Sequence, residues 1–172
     1  RFSTKGAVLA GGSQIFDYKK TSFYENIAHI SCDTFIFNMT IRENFYIANR
    51  QASDTQINEC LRTVNLLDFV GSSGGLDKVI IEDANNISGG QKQRLALAIS
   101  ILANKNIYIF DESTSNIDAF SEEIILKVIK DLSRKKTVIF ISHRLDNVVL
   151  ADKIYFMEDS LVKESGKHKD LL

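Results

Sequence analysis

Ile87-Ser88-Gly89-Gly90-Gln91-Lys92-Gln93-Arg94 is the stretch on which the reading of this chain turns. A serine and two glycines stand immediately before a predicted helix. Leu95, Ala98, Ile99 and Leu102 follow at i, i+3, i+4 and i+7, one apolar helical face. Glycines let the backbone come close to a ligand, and the unpaired N–H groups of a first helical turn favour an anion, a phosphate above all. Ser88 adds a hydroxyl to that cradle. Taken alone, the stretch supports two readings: a phosphate-binding turn, or a flexible turn that caps a buried helix.

The segments that follow it narrow the choice. Ile107-Tyr108-Ile109-Phe110-Asp111-Glu112 is a short apolar run ending in two carboxylates, with Asp118 shortly after. Thr137-Val138-Ile139-Phe140-Ile141 is a second, β-branched run, and it ends in Ser142-His143. Strands that alternate with helices argue for a largely parallel sheet with covered faces. In such sheets ligands gather at the carboxyl ends of the strands, which is where Asp111, Glu112 and His143 fall.

In order and spacing these segments resemble the nucleotide-binding domain of ATP-binding cassette (ABC) transporters of the exporter type, and the resemblance covers nearly the whole chain. Ile87 to Gln91 resembles the signature loop, Ile107 to Glu112 the Walker B strand, Ser115-Asn116-Ile117-Asp118 the D-loop, and His143 the switch histidine. The resemblance implies an α/β fold: a P-loop NTPase-like (RecA-like) core, incomplete at the N-terminus, with an inserted α-helical subdomain. It implies ATP and Mg²⁺ as ligands, with Asp111 holding the metal largely through water and Glu112 acting as general base. His143 is then a partner for the γ-phosphate and the attacking water. Ser88, Gly89, Gly90 and Gln91 serve a nucleotide held by a second, head-to-tail nucleotide-binding domain, and Asp118 bridges the two. Transmembrane domains are the other expected partner, at the cytoplasmic face of the membrane. For Asp118 a plainer role, capping the helix that follows, is compatible with the first.

Composition is consistent with this. The chain has 172 residues, enough for a sizeable core, with 44% hydrophobic and 25% charged residues. A formal net charge of −1 gives no sign of a nucleic-acid partner or a polybasic membrane anchor. No apolar run approaches the ~20 residues needed to cross a bilayer. Cys32 and Cys60 read as free thiols. His29 precedes Cys32 closely, but no second ligand pair lies nearby, so zinc is not expected; His168 is expected at the surface.

Residues 1–31 read as part of an α/β layer, with Ala7-Val8-Leu9 an apolar run, Gly11-Gly12-Ser13 a turn and Ile27 to Ser31 a strand. No G-x-x-x-x-G-K-[ST] sequence occurs anywhere in the chain. The chain is therefore expected to begin just after the P-loop helix, either as a fragment or as a truncated form. Residues 32–103 read as the helical subdomain, and residues 1–31 with 104–172 as the α/β core. Asp33 to Asn44, with Phe35-Ile36-Phe37 and Thr40-Ile41-Arg42-Glu43-Asn44, resembles the exporter segment after the Q-loop, and this alignment puts Cys32 where the family has the Q-loop glutamine. Ser53 and Gln56 form a capping box before a helix carrying Ile57, Leu61, Val64 and, more loosely, Leu67. Residues 71–75 read as a loop, and Ala84 stands where a glycine is common in the family. Arg42, Glu43 and Glu82 are candidates for contact with a membrane domain, with a solvated charged face as the alternative. Residues 121–134 read as a helix, and residues 154–163 as a hairpin.

Beside the transporter motor and a translation-type soluble cassette, which fits the segment Phe35 to Asn44 poorly, two rival functions stand. One is a degenerate cassette that only donates its signature face to a competent partner; Glu112 and His143 argue against it. The other is a DNA-repair or chromosome-structuring ATPase, but such proteins carry a long coiled coil, and no sustained heptad pattern appears between residues 32 and 87.

Overall fold

A computed structural model describes residues 6–81, 84 and 86–171. The chain opens with a hairpin, β1 (Leu9–Ala10) and β2 (Ser13–Gln14), around Gly11 and Gly12 at φ +57° and +86°. Two successive positive φ values make the tight turn whose twist suits a two-residue hairpin, and glycine adopts them without strain. Helix α1 (Lys20–Asn26) then leads directly into β3 (Ile27–Ser31).

The central sheet has three strands in the order β3, β4 (Ile107–Asp111) and β5 (Thr137–Ile141), all parallel. Its register places Ser31, Asp111 and Ile141 side by side at the carboxyl edge. Parallel strands need a crossover between them. The β3-to-β4 crossover is the whole helical region, α2 (Ile41–Ala48), α3 (Asp54–Thr63), α4 (Leu67–Ser72) and α5 (Gly89–Leu102); the β4-to-β5 crossover is α6 (Ala119–Ser133). An antiparallel hairpin, β6 (Ile154–Glu158) and β7 (Leu161–Gly166), follows.

The helices begin where the sequence supplies caps. Thr40 with Glu43, Ser53 with Gln56 and Ser88 with Gln91 are complete capping boxes, and each satisfies two orphan donors of its helix. Helix α3 stops earlier than the apolar spacing suggests. Asn65 turns left-handed at φ +53°, and the Leu66 N–H bonds the Leu61 carbonyl, so Leu67 opens α4 instead of continuing α3. Residues 71–75 are correspondingly only partly a loop, because α4 runs through Ser72. Ala84, in the glycine position, is held at φ +56°, a left-handed conformation that costs a residue with a Cβ about 1–2 kcal/mol.

One core joins the helical region to one face of the sheet. Phe45, Ile57, Leu61, Val64 and Ile80 are fully buried, and Tyr108 and Phe110 reach into the same cluster from β4. The opposite sheet face departs from the expectation of two covered faces. Ile139 and Ile141 are about half exposed on β5, because the described helices packed on the sheet meet its other side. Helix α5 also differs from a one-faced amphipathic helix. Gly90 and the run Gln93 to Ala98 are all buried, while Ile99 and Leu102 are only partly so.

Arg42 and Glu43 are engaged within the chain. The Arg42 guanidinium pairs with Asp54 and, at 2.9 Å, with Asp77, tying α2 to α3 and to the turn before residue 78. These two partners raise its pKa further. Glu43 accepts from the Thr40 N–H and hydroxyl, which holds its carboxyl below the usual range. Glu82 lies outside the described residues.

Candidate active site

Asp111 ends β4, and Glu112 is the first residue beyond it. The Glu112 N–H donates to the Ile141 carbonyl at 3.1 Å, a last bond between β4 and β5 past their regular ladder. Glu112 itself sits at φ +49°. That conformation is uncommon for a residue with a side chain, and such strain concentrates at functional positions. It turns the chain sharply, so the Glu112 carboxylate faces the loop after β5. His143 Nδ1 lies 3.6 Å from Glu112 Oε1, and both side chains are about half or more exposed. The site therefore has a carboxylate and an imidazole side by side and open to solvent.

Asp111 Oδ2 lies 3.7 Å from His29 Nε2, with its carboxylate about half exposed. A hard, accessible carboxylate next to a second one suits a hydrated Mg²⁺. Cys32 is exposed and follows Ser31, the register partner of Asp111, so it lies at this same edge. Among the described residues no group of three or more His, Cys, Asp or Glu side chains forms a metal cage.

The signature segment is built as a helix start. Ser88 Oγ accepts from the Gln91 N–H at 3.1 Å, and Gln91 Oε1 accepts from the Ser88 N–H at 2.9 Å. This leaves the N–H groups of Gly89 and Gly90, together with the Ser88 hydroxyl proton, as the donors of the turn. Ser88 and Gly89 are exposed; Gly90 is buried. A Cβ on Gly90 would fall onto Ser121 Oγ and Asp118 Oδ2 and within 2.8 Å of Ser121 Cβ. The Ser88–Gly90 turn and the Asp118 cap of α6 are thus in direct contact, and only glycine fits between them.

Asp118 caps α6, accepting from the Ser121 N–H and hydroxyl, both at 2.8 Å. These bonds hold its carboxyl below the usual aspartate range. The expected capping role is therefore present, at the edge that also touches Gly90.

Two further groups were not visible in the sequence. Arg94 is buried and donates to the Val64, Asn65 and Gly90 carbonyls, with burial lowering its pKa. Gln93 is also buried, and its amide donates to the Ser31 carbonyl at 2.8 Å, tying the signature helix to the end of β3. The only local signal for either is a pair of polar residues entering an otherwise apolar helix. A second cluster joins Glu122, Arg144, Asn147 and Thr114 beside His143. Its members are scattered along the sequence and carry no spacing signal.

The structure thus brings two carboxylates and a histidine to the carboxyl edge of a parallel sheet and sets a glycine-rich helix start in its crossover. The family model for ABC transporters matches residues 2–115, and the chain belongs to that family. It is 45% identical over 168 residues to an uncharacterized ABC transporter ATP-binding protein of Haemophilus influenzae, covering 98% of this chain and 30% of that protein. It is 36% identical over 170 residues to the ATP-dependent lipid A-core flippase of Escherichia coli, covering 98% and 29%. Among solved structures, a bacterial Atm1-family ABC exporter with ATP bound superposes with a TM-score of 0.89 at 30% identity, covering 98% of this chain and 30% of that one. The chain thus spans a little under a third of the length of these relatives.

Proposed function

We propose that this chain is part of the ATP-hydrolysing domain of an exporter-type ABC transporter, working at the cytoplasmic face of a membrane to power translocation. The observation that carries the reading is the pair Glu112 and His143, 3.6 Å apart at the carboxyl edge of a parallel sheet, with Asp111 adjoining. In the reaction a water attacks the γ-phosphorus of ATP, the bond from that phosphorus to the bridging oxygen of ADP breaks, and the water's proton goes to Glu112. His143 donates toward the γ-phosphate. Asp111 would hold Mg²⁺, which would supply charge stabilisation at the phosphates.

The signature residues Ser88, Gly89, Gly90 and Gln91 act on a nucleotide held by a second nucleotide-binding domain, in a head-to-tail pair that Asp118 helps to join. Exposure of Ser88 and Gly89 supports this, since these two residues of the turn are open to a partner. Residues 32–103 are the helical subdomain of this motor, and residues 1–31 with 104–172 its ATPase core. Transmembrane domains take the motion. In the complete protein, Glu112→Gln is expected to nearly abolish hydrolysis while ATP-driven pairing persists, because the amide keeps the shape but is no base. Near-normal turnover with Glu112→Gln would exclude the general-base role.

A second reading, a cassette whose main task is to donate its signature face, is favoured by Cys32. A thiol is a shorter side chain than glutamine and a soft ligand poorly matched to Mg²⁺. Comparing Cys32→Gln with the parent in the complete protein separates the two. A several-fold gain in ATPase rate supports a slow site in the parent, and an unchanged rate with unchanged transport removes that idea.

A further inference from the structure

We propose that Glu122, Arg144 and Asn147 form a clamp that positions His143 against Glu112. Glu122 lies one turn into α6, is 8% exposed, and its N–H bonds the Asp118 carbonyl at 3.0 Å. Arg144 Nη1 donates to both Glu122 carboxylate oxygens, at 2.7 and 2.6 Å. Asn147 Nδ2 donates to Glu122 Oε1 at 2.8 Å and to Thr114 Oγ1 at 3.3 Å. Thr114 is buried and lies just beyond Glu112. The cluster therefore joins the segment after β4, the start of α6 and the segment after β5.

His143 needs such support. Its side chain is 64% exposed, and among the described residues Glu112 alone is its polar partner. The ring's place is thus set by the backbone on either side. Upstream, the Ile141 carbonyl is fixed by the Glu112 N–H. Downstream, the Arg144 N–H donates to Ser142 Oγ at 3.0 Å, closing a tight turn around His143, and the Arg144 side chain is held by Glu122. An ion pair whose arginine is half exposed adds little net stability, since solvent screens it, so its effect falls on geometry. Because Glu122 and Asp118 share the first turn of α6, the D-loop aspartate and the switch histidine are carried on one braced unit.

The inference rests on the hydrolytic reading above, and the test separates the two. ATPase kinetics are measured on the complete protein with Arg144→Lys, Glu122→Gln and Asn147→Ala, each alone and combined with His143→Ala. Lysine keeps the charge but loses the two-oxygen grip. Misplacing a reacting group by an ångström costs rate steeply, so Arg144→Lys is expected to lower kcat roughly tenfold or more. KM for ATP and the melting temperature should stay at the parental values. In the His143→Ala background, single-turnover rates should show no further loss, because the clamp acts through that ring. Parental kcat in Arg144→Lys, or full additivity with His143→Ala, overturns the clamp. So does a loss of kcat that tracks a fall in melting temperature. Should Glu122→Gln not fold, Arg144→Lys and Asn147→Ala decide alone. Parental turnover in Glu112→Gln would overturn the hydrolytic reading itself, and the clamp with it.

Discussion

The helical crossover and the segment after α6 are built on different terms. Between Ile41 and Leu102 most large apolar side chains are covered, Ile47, Val79 and Ile81 excepted, with Phe45, Ile57 and Leu61 wholly out of solvent. From Thr137 to Leu171 no residue is buried, and Ile139, Ile141, Met157 and Leu161 are all close to half exposed or more. The first region draws its order from packing. The second draws it from ladder hydrogen bonds and turns, with β5 presenting one apolar face and an unpaired edge among the described residues. What the difference teaches is that His143, on the second region, depends on a few polar ties for its place, whereas Ser88 to Gln91 are anchored to a packed helix.

Breaking this contrast is most direct by truncation. Phe45→Ala should destabilise the chain by about 3–5 kcal/mol, as for a fully buried ring, and Met157→Ala by about 0.5 kcal/mol or less. Urea denaturation at low concentration measures both, and similar losses at the two positions would erase the distinction. Next in size is Gly90→Ala. Its Cβ has no room against Ser121 and Asp118, so the start of α5 or α6 must move. Loss of ATP-driven pairing in the complete protein is the expected outcome, and Ser121→Gly should partly restore it.

Association tests the uncovered face. The isolated chain is expected to self-associate through the open side of the sheet and the β5 edge. A monodisperse monomer in sizing, with a cooperative melt well above ~65 °C, would contradict this. Thiol labelling sharpens the contrast at single residues. Cys60 is buried in the helical region, where burial pushes its pKa up to about 11, while Cys32 is exposed at the sheet edge. Mass spectrometry after brief alkylation at neutral pH should find Cys32 modified and Cys60 intact. The smallest effect concerns Asp118. Its carboxyl is held below its ordinary range by Ser121. Its contribution to stability is therefore present above the pKa of an unfolded aspartate and is lost as pH falls through the lowered native value. Asp118→Asn should flatten that part of the acid limb in pH-dependent melts.

Much of this was legible in the sequence. The apolar runs at 107–111 and 137–141 are the two strands they suggest, and the capping box at Ser53 and the Ser88-Gly89-Gly90 turn begin helices where expected. Asp118 caps its helix. These are local effects, carried by neighbours in the chain. Long-range pairing was not legible. Arg94 and Gln93 enter the core because carbonyls of Asn65 and Ser31, distant in sequence, receive their donors. Likewise the break between α3 and α4 rests on one left-handed asparagine inside a continuing apolar pattern. Which sheet face is covered is settled by where α5 and α6 pack, and residue spacing within the strands gives no hint of it.

The contact at Gly90 also sets a rule for how this sequence can vary. Residues 90, 118 and 121 occupy one volume, so the signature turn and the D-loop cannot drift independently. A side chain gained at 90 requires one surrendered at 121, together with a new cap for α6. Mutant libraries that randomise residues 88–91 while holding 118–121 fixed will therefore sample mostly collapsed variants. Varying the two corners jointly opens combinations that neither reaches alone, and any paralogue with a larger residue at 90 should carry a smaller one at 121.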